Sequence, residues 1–369
     1  MKTLLKWLGR IVAGILLLLV AAFVVAAVMP PEVDPAVDMD NHGAGASSVE
    51  PSYTGLQREF PAVNAPESNP TTAEKVALGR MLFFDPILSQ NDQVSCASCH
   101  HPDKGFSDGL ATAVGVSGQP LERNAPTLWN VAYTQNLFWD GRLDSLEAQA
   151  ELPLTHPDEM GVTDVDGLIE ELAQVPEYVL LFDGIYGSGR QGITIENIEQ
   201  VLAAFQRTLI TNDAPFDQYA AGDFNALTAQ QRRGLALFRS GATRCFECHT
   251  APTFASDTFR VIGVPSDDLG RAGVTADGVN GAFKVPTLRN IALSGPYMHD
   301  GSMETLEEVI RFYADGGGRA HDLPNIDPFV SGFDLNDQEL EDLVAFLHAL
   351  TDESQLPEIP AEVPSVLPV

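Results

Sequence analysis

Basic residues are scarce in this chain of 369 residues: 21 Lys and Arg stand against 51 Asp and Glu, a formal net charge of −30. Surfaces that bind nucleic acid are built from clustered Lys and Arg, so a broad surface of that kind is excluded. Two readings of the acidity remain. It either keeps a solvated exterior soluble or steers a basic protein partner. Cysteine is scarcer still, with four in all. They fall in two copies of one pattern, Cys96-Ala97-Ser98-Cys99-His100 and Cys245-Phe246-Glu247-Cys248-His249, and none is left for a structural disulfide. Long alternating strand patterns are missing as well. What is present is 44% hydrophobic residues, too many for a disordered chain, and 31 Gly and 25 Pro, which mark many turns. The length suits about two domains.

One long apolar run exists. Lys2, Lys6 and Arg10 precede an uncharged stretch of residues 11–29, near the roughly 20 residues of a spanning helix and longer than the about 7–15 of a secretory signal. Basic residues stay on the cytoplasmic side, so everything after Met29 is expected beyond that membrane. A single N-terminal transmembrane helix is the preferred reading and a cleaved signal the alternative. The expected organisation is an anchor at 1–30, a Pro/Ala-rich linker at 31–70, two domains with one cysteine motif each at 71–220 and 221–355, and an extended Pro-rich tail at 356–369.

The two middle segments read as mainly α. Helical apolar spacing covers 72–84, 194–210, 227–238, 303–313 and 336–350, the second through Ile195, Ile198, Val201, Leu202, Phe205 and Leu209. The chain also repeats itself. At an offset of 160 residues, Pro126-Thr127-Leu128 with Asn130 matches Pro286-Thr287-Leu288 with Asn290, Asp140-Gly141 matches Asp300-Gly301, and Leu146-Glu147 matches Leu306-Glu307. An internal duplication, with one cysteine motif per copy, accounts for this.

Cys-x-x-Cys-His is the attachment sequence of c-type haem. Two thioether bonds hold the porphyrin, and the adjacent histidine reaches the iron from one face. A thiol-disulfide pair does not need that histidine, and a zinc site needs further ligands nearby. Two covalent haems follow, with His100 and His249 as iron ligands. An iron with two strong protein ligands transfers electrons, whereas an open face binds peroxide or oxygen. Of the other histidines, His42, His101, His156, His299, His321 and His348, spacing selects none as a second ligand.

Both haem motifs, together with Arg123-Asn124-Ala125-Pro126-Thr127, Phe138-Trp139-Asp140-Gly141-Arg142 and Leu288-Arg289-Asn290, resemble the bacterial dihaem cytochrome c peroxidase family, including its MauG-like branch. The resemblance spans about residues 71–350. It implies two tandem cytochrome-c-like helical domains, a peroxidatic haem at His100, an electron-transfer haem at His249, and a periplasmic location on the outer side of the bacterial inner membrane. Many members cap the first iron with a loop histidine. That position is Val116 here, so the first haem resembles the permanently open kind. Seventeen residues after Pro296, where electron-transferring peroxidases place methionine and MauG places tyrosine, stands Tyr313. The alternative reading makes Tyr313 a buried helix residue and Met298 or Met303 the ligand.

The same resemblance matches Glu159 and Gln149 to distal groups that handle peroxide, and Trp139 to a residue between the haems. It matches Asn124, with the carbonyls of Ser294 and Pro296, to a calcium site, chemistry that suits that ion's oxygen preference. Arg123, Arg142 and Arg289 are candidate partners of haem propionates. Three functions are then open. The first is a peroxidase reducing hydrogen peroxide to water with electrons from a small c-type cytochrome. The second is a MauG-like high-valent dihaem oxidase that modifies side chains of a partner protein. The third is a non-enzymatic dihaem electron carrier. Family peroxidases are often dimers, so a homodimer is compatible with the resemblance.

Overall fold

Most of the helices begin where a side chain caps them. In the computed structural model, which describes residues 59–369, Thr72 accepts from Lys75 N and opens α1 (Ala73–Phe84). The first cysteine motif forms the short α2 (Cys96–Cys99). Ser145 caps α3 (Leu146–Thr155) and Asp164 caps α4 (Val165–Leu172). Pro176 starts α5 (Pro176–Tyr186) at the first helical position, where an amide hydrogen would have no partner within the helix. Thr194 caps α6 (Ile195–Gln206), followed by α7 (Pro215–Ala220). Reciprocal caps then open three helices: Thr228 with Gln231 for α8 (Ala229–Phe238), Thr305 with Glu308 for α9 (Leu306–Ala314), and Asn336 with Glu339 for α10 (Asp337–His348). The only sheet among the described residues is an antiparallel pair, β1 (Ser256–Arg260) and β2 (Phe283–Val285).

The two halves use one plan twice. Helix α1 packs on α6, and α8 packs on α10. Each crossing is made at a glycine: a Cβ on Gly79 would collide with the Val201 carbonyl, and one on Gly234 with the Asp342 carbonyl. Phe205 and Phe346 stand in the same place at the two crossings. Leu78, Leu82, Phe83, Ile198, Val201 and Leu202 are buried at the first, and Leu235, Phe238, Leu343 and Phe346 at the second.

Asn130 and Asn290 both have positive φ, 60° and 56°, and each ties down a segment that follows a later helix. The Asn130 amide donates to Thr211 O and accepts from Thr211 N, while the Asn290 amide does the same with Asp352. The two ties meet, since Thr211 Oγ1 donates to Asp352 Oδ2 at 3.2 Å. Burial disfavours the Asp352 charge, but hydrogen bonds from Ser354, Asp213 and Thr211 hold its carboxyl below the usual range.

Both ends of the described chain lie against this body. Phe60 meets Tyr133 at 5.4 Å and lies under the Arg289 guanidinium at 5.0 Å. Asn69 is 1% exposed and bonds Glu147 and Gln200. The C-terminal end of the segment expected as a linker is therefore packed. The Pro-rich tail has no helix, as expected, yet it is not merely superficial: Val363 is buried in the first core and Ser365 Oγ donates to Asp85. Among the described residues no helix is long and apolar enough to cross a membrane. The apolar run at 11–29 lies outside them.

Candidate active site

Two cavities open where the halves meet. The first, about 410 Å³, is lined by Cys96, Cys99 and His100. The second, about 360 Å³, is lined by Cys245, Cys248 and His249. Volumes of this order are those of cofactor pockets.

The cysteine motifs are set for attachment and not for thiol redox chemistry. None of the four thiols is bridged. Burial pushes Cys96 and Cys99 up to about 12 and Cys245 to about 11, against the lowered values of redox pairs. Each histidine is oriented from behind. His100 Nδ1 lies 2.9 Å from Phe106 O, and His249 Nδ1 lies 2.9 Å from Phe254 O. A carbonyl accepts, so Nδ1 carries the proton and Nε2 keeps its lone pair for a metal. Burial also lowers both imidazoles, with the same carbonyl contacts opposing, which favours the neutral ligand form. Thr127 and Thr287 repeat this likeness, each donating to a carbonyl beside its histidine loop, Gly105 O and Thr253 O, at 2.6 Å.

Glu159 and Gln149 both line the first cavity, with Trp139, Arg123 and Arg142. Gln149 comes from α3. Glu159 comes from a turn pinned by Val116, whose N donates to Glu159 O at 2.8 Å. Gly115 must be glycine for this approach, because a Cβ would strike Asp158 O and Glu159 O. The 115–118 loop is thus folded onto the acid's own backbone. His156 also lines this cavity, its Nδ1 accepting from Asp158 N and lying 4.0 Å from Glu159. Burial raises the Glu159 carboxyl, with His156 and Arg142 opposing.

Tyr313, on α9, lines the second cavity with His249, and burial raises its phenol. Met298 lines the same cavity; Met303 is not among its walls. Asn124 is 5% exposed, and its side-chain amide faces three carbonyls: Leu110 O at 3.0 Å, Ala111 O at 3.2 Å and Pro296 O at 3.4 Å. Ser294 lies in the wall of the second cavity.

Trp139 belongs to both cavities, held by Nε1 donating to Asn124 O at 2.9 Å. Its repeat counterpart is His299, stacked on Phe283 at 4.0 Å with a buried, unpartnered Nε2. Of the three arginines expected near haem propionates, Arg123 and Arg142 line the first cavity and are ion-paired within the chain. Arg123 clasps Asp268 and Asp140, and Arg142 bonds Asp140. Arg289 is fully buried against Asp217 and Pro252 O and lines neither cavity, so it braces the fold. Sequence reasoning passed over Lys284, which lines both cavities. Its signal was its place two residues before the repeated Pro-Thr-Leu.

Paired thiols and a backed imidazole in each of two adjoining cavities define a c-type protein with two covalent haems. A family model of di-haem cytochrome c peroxidase matches residues 73–225. The methylamine utilization protein MauG of Methylorubrum extorquens is 44% identical over 86% of this chain and 91% of its own. The cytochrome c551 peroxidase of Nitrosomonas europaea is 35% identical over 80% and 85%. Among solved structures, a MauG-like protein associated with microbial copper homeostasis has a TM-score of 0.76 at 32% identity, covering 82% of this chain and 97% of that one. The chain belongs to the di-haem cytochrome c peroxidase family, as an oxidoreductase of that type.

Proposed function

We infer that the protein reduces hydrogen peroxide to water with electrons from a small c-type cytochrome. The observation that carries this is the first cavity, where an acid of raised pKa and an amide line the same wall as His100, the acid's backbone being held by Val116. The haem iron supplies peroxide binding and electron storage. Glu159 would take a proton from peroxide at its carboxylate and return it to the departing oxygen. Gln149 orients the peroxide by hydrogen bonding, and Trp139 stands in the wall between the two redox centres. The sum is one peroxide, two electrons and two protons giving two waters. The electrons enter at the cavity of His249.

Asn124 supports a calcium site between the halves. Turning its amide would present an oxygen to the ion alongside the carbonyls of Pro296, Leu110 and Ala111, the donor type calcium prefers; Ser294 O would add another. The basic residues ahead of the 11–29 run support a periplasmic body, anchored or released.

The test is peroxide-dependent oxidation of a reduced c-type cytochrome, without prior reduction of the enzyme. Rapid turnover is expected. Its absence would sink the reading, and both haems six-coordinate with protein ligands would indicate a plain electron carrier. Tyr313 favours a second reading, side-chain oxidation of a partner protein, because a phenolate ligand stabilises oxidised iron. Tyr313→Phe is expected to change the spectrum of the second haem while leaving haem attachment intact, because the Cys245, Cys248 and His249 set is untouched. An unchanged spectrum would point to Met298 instead.

A further inference from the structure

Lys284 stands at the repeat position of Asn124, the two being 160 residues apart, and both line both cavities. The backbone shows the pairing. Asn124 N donates to His299 O at 2.8 Å, and Lys284 N donates to Trp139 O at 2.9 Å, one contact made twice with the roles of the halves exchanged. Beside the cavities, one copy therefore carries an amide and the other an ammonium.

That ammonium is in an unusual position. Lys284 sits on β2, opposite Phe259, and burial lowers its pKa with Asp257 alone opposing. Asp257 already accepts from the backbone N of Gln135 and Asn136. The arginines of the first cavity are paired within the chain, as described above, and Arg244 reaches the second cavity only. A half-buried cation without a carboxylate of its own calls for an anion. Each haem carries two propionate carboxylates, and Lys284 faces both sites.

We propose that Lys284 is the shared counter-cation of the two haems, pairing with their carboxylates at the common wall and raising both iron potentials together. A positive charge disfavours the ferric state over the ferrous one. With haem filling the two cavities, its field would reach both centres with less screening than in bulk water. Lys284 is a positioning residue in this account. The proposal rests on the two-haem reading, whose own check is the covalent haem count of the wild-type chain.

The experiment compares wild type, Lys284→Gln and Lys284→Arg as full-length holoproteins, by haem count and by anaerobic spectroelectrochemical titration of each haem. Lys284→Gln is expected to lower both reduction equilibria about tenfold, which is 59 mV for a one-electron couple, while Lys284→Arg stays close to wild type. Loss of haem from the Gln variant alone would also support the charge. Two haems per chain with one potential or neither moved overturns the proposal. Equal loss of haem from both variants also overturns it, because β2 would then need lysine for its shape. Fewer than two haems in the wild type overturns the two-haem reading itself.

Discussion

The raised Glu159 carboxyl has consequences that can be separated by pH. Its ionised form is the one that accepts a proton from peroxide, so activity is lost as pH falls through its pKa. Burial, the dominant cause of the shift, moves that acid limb above the usual glutamate value of about 4.3. In Glu159→Gln the limb is expected to vanish and kcat/KM to fall by ~10²–10⁴, the usual worth of a proton-transfer group. Stability should respond oppositely. A carboxyl raised in the fold weakens it as pH rises through that pKa, so at pH 7 the Gln variant should melt no lower than wild type. A thermal melt showing marked loss alongside lost activity would make Glu159 a structural acid. Sequence alone does not reveal this residue. Without the family resemblance Glu159 reads as a solvated loop acid and Gln149 as a surface amide. What fixes Glu159 is the 115–118 loop closing on Asp158 and Glu159, a contact between distant segments that spacing does not encode.

Helices were legible in proportion to their stripes and caps. The periodic segments at 72–84, 194–210, 227–238 and 336–350 became α1, α6, α8 and α10, with Thr72, Thr194, Thr228 and Asn336 as caps. The 303–313 stripe starts late, at Leu306, because the Thr305 and Glu308 cap overrides an apolar residue at Met303. Helices α3, α4 and α5 were not marked out by sequence; α3 contains Pro153, which interrupts its pattern. The glycine crossings were invisible too, since a helical glycine reads only as a weak point. They can be tested because two effects compete in sign. Gly79→Ala gains up to about 1 kcal/mol of helix propensity. It also forces a methyl into the Val201 carbonyl, and overpacking costs about 1–3 kcal/mol. Backbone cannot swing aside as a flexible side chain can, so the second effect wins. Gly79→Ala and Gly234→Ala should each lower stability in urea unfolding, whereas Gly184→Ala, where a Cβ meets nothing within 4 Å, should raise it slightly.

At the scale of the whole molecule, the charge of −30 was readable at once but its purpose was not. A solvated acidic exterior and a steering field predict the same composition and different kinetics. If the acidity recruits a basic cytochrome, the encounter rate carries a long-range Coulomb term. That term collapses as the Debye length shrinks from about 30 Å at 0.01 M salt to about 8 Å at 0.15 M. Chemistry inside the first cavity is sheltered from salt and should not follow. Turnover at low donor concentration with a basic c-type cytochrome is therefore expected to fall at least tenfold across that range, while turnover with a small neutral reductant stays level. The comparison isolates steering, because both assays share the peroxide step and differ only in how electrons arrive. A level profile with the basic donor would assign the acidic surface to solubility alone, and a fall with both reductants would place the salt sensitivity in the fold. The expected split, steep for the protein donor and level for the small one, would make the acidic exterior part of the electron-delivery route to the second haem.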